Sequence, residues 1–368
     1  MKIPLVDLAI QHAEIAEEVM AGFAEVMESG SFILGAPVRA FEEEFASFCG
    51  VRHCIGVGSG TDALELILRA AGIGAGHEVI LPANTFIATA LAVVRAGAHP
   101  VLVDCDSRFQ LVDVDHIDER IGSRTRAIIA VDLFGQMADW QRLEELASAR
   151  GVLLMEDAAQ SQGARRGRRS AGSCGSAAGT SFYPAKNLGA YGDAGAVLSQ
   201  SDEIAERVRC LRNYGSDQRY HHPERGFNSR LDTLQAVVLR AKLKRIQDWN
   251  RLRVEAAERY AALLSDEARV RPPETAPGNE HVWHLYTVRI AERERVLDAL
   301  HAAGIGAAVH YPVPIHLQGA FSHLGEGPGS FPEAERAASS LLSLPLFPGI
   351  TEAQQERVVE VLRSALAD

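Results

Sequence analysis

Short apolar runs alternate with longer amphipathic ones along roughly the first 200 residues. The short runs predict strands near 53–57, 78–82, 100–104, 126–132, 152–156, 178–183 and 194–199. Apolar positions at helical spacing predict helices near 61–72, 86–96, 139–150 and 202–213. Strand–helix alternation implies a mostly parallel sheet covered by helices. Runs such as AIIAV and GVLLM are apolar throughout, as strands buried on both faces must be.

The pattern then changes. From Leu231 to Leu264 apolar residues keep helical spacing, which predicts one long helix ending before the loop marked by Pro272 and Pro273. Beyond lie a strand-like WHLYTVRI, a helix ERERVLDALHAAG, a strand near 305–310, a proline-rich loop and a final helix TEAQQERVVEVLRSALA. The expected fold class is therefore α/β. A large sheet domain spans 1–248, and a smaller C-terminal α+β domain spans 249–368. The length agrees, because one core rarely grows past roughly 250–300 residues.

Composition adds exclusions. Of 368 residues, 47% are hydrophobic and 23% charged, which is ordinary for a globular chain. The net charge of −11 argues against a nucleic-acid partner held by a basic surface. Five cysteines, odd in number and without CxxC spacing, read as free thiols in a reducing compartment. No signal peptide is visible, and no apolar run reaches the roughly 20 residues of a membrane span. A cytoplasmic location follows as the expectation. His221–His222 and His310…His316 lack a third ligand at a usual spacing, so no metal site is expected. The basic run RRGRRS at 165–170 reads as a solvated hairpin turn or as a neighbour of an anionic substrate.

Three segments carry candidate chemistry. GVGSGTDAL at 56–64 sets glycines before a helix start, where free backbone N–H groups favour phosphate. The same letters match a dinucleotide-binding turn weakly, but the nearest acidic residue, Glu78, precedes its strand instead of following it. A nicotinamide enzyme is thus one competing reading, and a turn without ligand is another. Asp157 follows the strand VLLM, at the strand end where open α/β sheets bind ligands, and is either functional or a helix cap. Lys186 sits in a glycine-containing loop after another strand, where a lysine of lowered pKa can form a Schiff base with an aldehyde. Together, phosphate site, aspartate and lysine are the three groups that pyridoxal phosphate needs.

At this point the chain resembles the DegT/StrS family of pyridoxal-phosphate-dependent nucleotide-sugar aminotransferases, which have the aspartate aminotransferase-like fold, fold type I. The resemblance runs over nearly the whole chain, through GSFILGAPVRAFEEEFASFCG, GVGSGTDAL, EVILPANTFIATA, EDAAQSQGA, SFYPAKNLGAYGDAGAV, GFNSRLDTLQA, HYPVPIHLQ and LSLPLFPGITE. It implies that Lys186 bonds the cofactor and shuttles the proton, and that Asp157 pairs with the pyridine nitrogen. It further implies that Phe86 stacks on the ring and that Gln160 contacts its hydroxyl side. Ser59, Gly60, Thr61 and Ser181 would contact the phosphate. Asn228 would reach the phosphate of the other subunit, so that a homodimer shares its active sites. Each role has a plainer counterpart: Phe86 in the core, Gln160 in a turn, Asn228 as the cap of a helix beginning near Arg230. Tyr183, Tyr214, Tyr220, His310, Tyr311 and His316 are substrate-contact candidates, and Arg212 lies in the same loop as two of them.

The implied reaction moves an amino group from L-glutamate to a nucleotide-linked keto sugar by ping-pong transamination. The stretches AKNLGAYGDAGA and HYPVPIHLQ look more like the branch acting on dTDP- or UDP-linked 3-keto sugars than the 4-keto branch. One departure is Gln162, where histidine is frequent in the family. A non-catalytic regulator on the same fold is the remaining alternative.

Overall fold

A computed structural model describes residues 2–367. Seven strands form one sheet in the order 53–57, 195–199, 177–181, 153–157, 125–131, 78–82, 99–103. Only Gly195–Ser199 runs antiparallel, to both of its neighbours. The other strands therefore end at one common edge, and Asp157 closes the central strand there. Strand alternation sends neighbouring residues to opposite faces. Ile129 and Met155 join the core under the helices Gly60–Ala70, Ile87–Ala96 and Asp202–Leu211. Ile128 and Leu154 join Trp140 and Leu143 of the helix Trp140–Arg150 on the other face. Burial on both faces explains why these strands are apolar throughout.

The strand and helix expectations for this region hold to within a few residues. The stretch 231–264 differs. It forms two helices, Thr233–Leu243 and Ile246–Leu263, broken at Lys244–Arg245 without glycine or proline. Tertiary packing drives the break. The first helix buries Val238 and Ala241 against Ile15 and Val19 of the helix Leu8–Ser29, and the second must turn Ile246 and Trp249 inward as well. A boundary at 248/249 falls inside that second helix. Its start packs on the large unit, whereas Ala256, Ala257, Tyr260 and the following Leu264 pack on the small one.

The small unit has a three-stranded antiparallel sheet of 270–271, 286–290 and 341–344. Helices Arg293–Ala302 and Glu352–Ala367 cover it, and Ile3 from the chain start completes its core. The strand expected near 305–310 does not form. Only single bridges from Ile305 to Ile3 and from Ala308 to Ser343 occur there. Leu341–Leu344 takes the ladder beside Tyr286–Ile290 instead. RRGRRS folds as a hairpin, with Arg166 paired to Asp139 and Arg169 to Glu144. The five cysteines are free. No helix among the described residues is long and apolar enough to cross a membrane.

Candidate active site

The common strand edge opens into a cavity of about 450 Å³ where the two units meet. Ser59, Gly60, Thr61, Phe86, Asp157, Gln160, Ser181, Tyr183, Lys186, His310 and Tyr311 all line it. Residues of the large unit supply its floor, and His284, Leu285, His310 and Tyr311 of the small unit close one side.

Asp157 is buried. Its Oδ2 accepts from Thr89 Oγ1 at 2.8 Å and its Oδ1 from the Ala159 N–H at 3.2 Å. Burial pushes its carboxyl up from the usual range, while Thr89, Ala159 and the charge of Lys186 pull it back. The cap reading is thereby answered: both oxygens are aimed and held, and no regular helix starts at Ala158. Lys186 is almost completely enclosed. Burial pulls its amine down to about 8, and Asp157 opposes that shift. A buried amine of this kind is a nucleophile near neutral pH.

The glycine turn is shaped by close approach. A Cβ on Gly60 would stand 2.7 Å from Ser181 Cβ, and one on Gly195 would stand 2.4 Å from the Ser59 carbonyl carbon. Ser59 caps the helix Gly60–Ala70, its Oγ accepting from the Asp62 N–H at 3.1 Å. The N–H groups of Gly60 and Thr61 belong to the first turn, so they have no acceptor within the helix and face the cavity. These two N–H groups, the Ser181 hydroxyl, the Asp157 carboxyl and the Lys186 amine form a donor set that fits pyridoxal 5′-phosphate. The N–H groups and hydroxyl suit its phosphate, Asp157 suits its ring nitrogen, and Lys186 suits its aldehyde.

Gln160 is held from both ends. Its Oε1 accepts from the Phe134 N–H at 2.7 Å, and its Nε2 donates to Tyr311 OH at 2.9 Å. Phe86 is 51% exposed at the cavity mouth, 5.3 Å from the Tyr311 ring, so it is not a core residue. Burial, with Lys186 nearby, brings His310 down to about 4, and its Nδ1 lies 2.8 Å from Ser343 Oγ. Gln162 does not line the cavity. Its Nε2 donates inward to Thr180 Oγ1 and to the Ser181 carbonyl, both at 2.9 Å.

Other candidates lie elsewhere. The His316 ring is buried against Phe331 and pairs with Glu335 at 2.9 Å, which takes it out of the substrate space. Arg212 is also buried, pairing with Glu42 and the Gly56 carbonyl. Asn228 does not cap a helix: the next one starts at Thr233, with Asp232 before it. It is exposed on the outer surface, beside a cleft of about 110 Å³ shared with Asp62, Glu65 and Arg95. Tyr214 and Tyr220 are exposed outside this chain's own cavity, Tyr220 at 83%. Thr85, Thr89, Asp193 and His284 line the site without having been singled out in the sequence. Thr85 and Thr89 lie in the quoted motif EVILPANTFIATA, but the aim of Thr89 at Asp157 across 68 residues, with Thr85 3.0 Å behind it, has no local signal.

Known proteins match this arrangement. The model of the DegT/DnrJ/EryC1/StrS aminotransferase family matches residues 13–363. The chain belongs to that family. It is 46% identical to the dTDP-3-amino-3,4,6-trideoxy-alpha-D-glucose transaminase of Streptomyces venezuelae, over 98% of this chain and 96% of that one. It is 44% identical to the UDP-N-acetyl-3-dehydro-alpha-D-glucosamine 3-aminotransferase of Acidithiobacillus ferrooxidans, over 99% and 98%. The solved structure of S. venezuelae DesV, determined in complex with a ketimine intermediate, superposes with a TM-score of 0.96 at 44% identity, covering 99% of this chain and 98% of that one. The chain is thus a sugar aminotransferase with pyridoxal phosphate as cofactor. The nicotinamide reading fails with this. Glu78 opens its strand at the far end from the site and pairs there with Arg124.

Proposed function

We propose that this aminotransferase moves an amino group from L-glutamate to the 3-keto carbon of a dTDP- or UDP-linked sugar. The carrying observation is that Lys186 and Asp157 share one cavity with an open helix start. Similar proteins whose names specify 3-amino or 3-dehydro sugars support position 3 over position 4. Bound, the cofactor supplies an aldehyde that takes up amino groups and a ring that disperses carbanion charge. The protein does the rest. Gly60, Thr61 and Ser181 hold the phosphate, and Asp157 favours a protonated ring nitrogen. Lys186, whose buried amine lines the cavity, would hold the aldehyde and would carry the proton on its Nζ as general base and acid.

The proposal includes a cytoplasmic homodimer in which Asn228 of one chain reaches the other's phosphate site. Its exposure and its place outside its own cavity support that reading. The test is a panel of dTDP- and UDP-linked 3-keto and 4-keto sugars with glutamate, read by product mass and NMR. Amino transfer to a 3-keto member is expected, with loss of turnover and of visible cofactor absorbance in Lys186→Ala. Transfer to 4-keto members alone corrects the position. No transfer to any member supports a regulator on the same fold.

A further inference from the structure

Asn187 follows Lys186 and is buried. Its Nδ2 lies 2.9 Å from the Val282 carbonyl oxygen and 2.8 Å from Asn250 Oδ1. A carbonyl oxygen only accepts, so the atom facing Val282 is the amide nitrogen. Asn250 is pinned in the same way. Its Nδ2 donates to the Gln162 carbonyl at 3.0 Å, which leaves its Oδ1 to accept from Asn187. Both N–H bonds of Asn187 are therefore spent. Its remaining atom, Oδ1, stands 3.2 Å from His284 Nδ1. Two lone pairs do not face each other at that distance, so Nδ1 carries the hydrogen.

The ring is not an imidazolium. It is buried, and the charged or titratable groups around it are Lys186, Arg253, His281 and His310, with no carboxylate in contact among the described residues. Arg253 itself is buried and donates to the Trp283 and Leu346 carbonyls, so it brings no anion. Burial above all, with the charges of Lys186 and Arg253, pushes the ring towards the neutral form. The Nε2 edge has no protein partner among the described residues and is not sealed off, and the ring lines the cavity.

We infer that His284 presents a bare Nε2 to the active-site cavity as a hydrogen-bond acceptor, and that Asn187 is the positioning residue that sets this tautomer. The complementary group is an N–H or O–H donor. Two donors enter this space: the amine of Lys186 once it is free, and a hydroxyl of the bound sugar. The second of these rests on the proposed sugar substrate; the tautomer does not.

The test has two arms. In protein carrying ¹⁵N-labelled histidine, without added substrate, long-range ¹H–¹⁵N correlation reads the protonation of both ring nitrogens. The His284 signals are assigned by their loss in His284→Gln. The expected result is a protonated Nδ1 and a bare Nε2 at neutral pH. Asn187→Leu removes the acceptor that faces Nδ1 and is expected to let the ring proton move in part to Nε2. A protonated Nε2 in the unaltered protein overturns the inference, whatever the activity. In the second arm, the glutamate and sugar half-reactions of His284→Gln are timed separately by stopped-flow absorbance. Slowing of both by about tenfold, the order of one lost hydrogen bond, identifies Lys186 as the donor. Slowing of the sugar half alone, with a raised KM, identifies the hydroxyl. No change in either half overturns the role in catalysis.

Discussion

At the scale of residues, the site depends on two buried groups pushed off their ordinary pKa values in opposite directions. Among the described residues Thr89 is the one side chain that donates to Asp157, at 2.8 Å, and it keeps that carboxyl closer to its charged form. Thr89→Val keeps the shape but removes the donor. A hydrogen bond to a charged group contributes about 1.5–3 kcal/mol, so pyridoxal phosphate is expected to bind about 10- to 100-fold more weakly. Equilibrium dialysis measures this, and an unchanged affinity contradicts it. Lys186 offers a second check. With its amine down at about 8, roughly a tenth of the apoprotein is neutral at that position at pH 7. The rate at which apoprotein captures added pyridoxal phosphate should therefore rise with pH and level off above about 8. Asp157 raises the amine's pKa, so Asp157→Asn should move the profile to lower pH. A rate still climbing above pH 10 in the unaltered protein is incompatible with a desolvated lysine.

At the scale of elements, the phosphate-binding helix start is built by strand packing more than by its own turn. Gly195 lies in the antiparallel strand beside His53–Val57, directly under Ser59. Gly195→Ala drives a methyl to within 2.4 Å of backbone and must displace the Ser59–Gly60 turn. Overpacking of this kind costs about 1–3 kcal/mol. A lowered Tm is expected together with weaker phosphate binding, while the Lys186 amine keeps its low pKa; a Tm drop with normal cofactor affinity separates core strain from turn displacement. This contact marks where sequence reading stops. The strand end carrying Asp157 was legible because the acid closely follows the continuous apolar run VLLM. Lys186 was legible from its motif. The break at Lys244–Arg245 was not, since its cause is the packing of Trp249 and Ile246 on distant helices and not a local breaker. The strand Leu341–Leu344 was missed because four residues of a small edge ladder carry little periodic signal. His316 misled for the converse reason: its motif is visible, but Glu335, which claims it, lies in another helix.

At the scale of the whole molecule, stability is tied to pH through a carboxyl pair behind the site. Asp157 faces the cavity, so its neighbour Glu156 faces the other side of the sheet. There it accepts from the Gly172 and Cys174 N–H groups, at 2.7 and 2.9 Å. Asp132 lies beside it, accepts through Oδ1 from the Ala138 N–H and Trp140 Nε1, and is side-chain hydrogen-bonded to Glu156. Both acids are fully buried, and burial is the main cause that pushes both carboxyls up. In the folded protein the pair keeps a proton at pH values where unfolded carboxyls have lost theirs. The folded state then binds more protons than the unfolded one, so this pair costs stability as pH rises above the ordinary carboxyl range. Asp132→Asn should reverse the cost. The amide oxygen keeps the two donors at Ala138 and Trp140, and the amide nitrogen, placed at Oδ2, donates to an ionised Glu156. The variant should gain about 1–3 kcal/mol at pH 8, the worth of a hydrogen bond to a charged group set against a buried repulsion. The gain should shrink towards pH 5, where the unaltered pair already holds its shared proton. Thermal unfolding at about pH 5 and about pH 8 reads the difference directly, and a variant that is equally destabilised at both would show that the two acids do not share a proton.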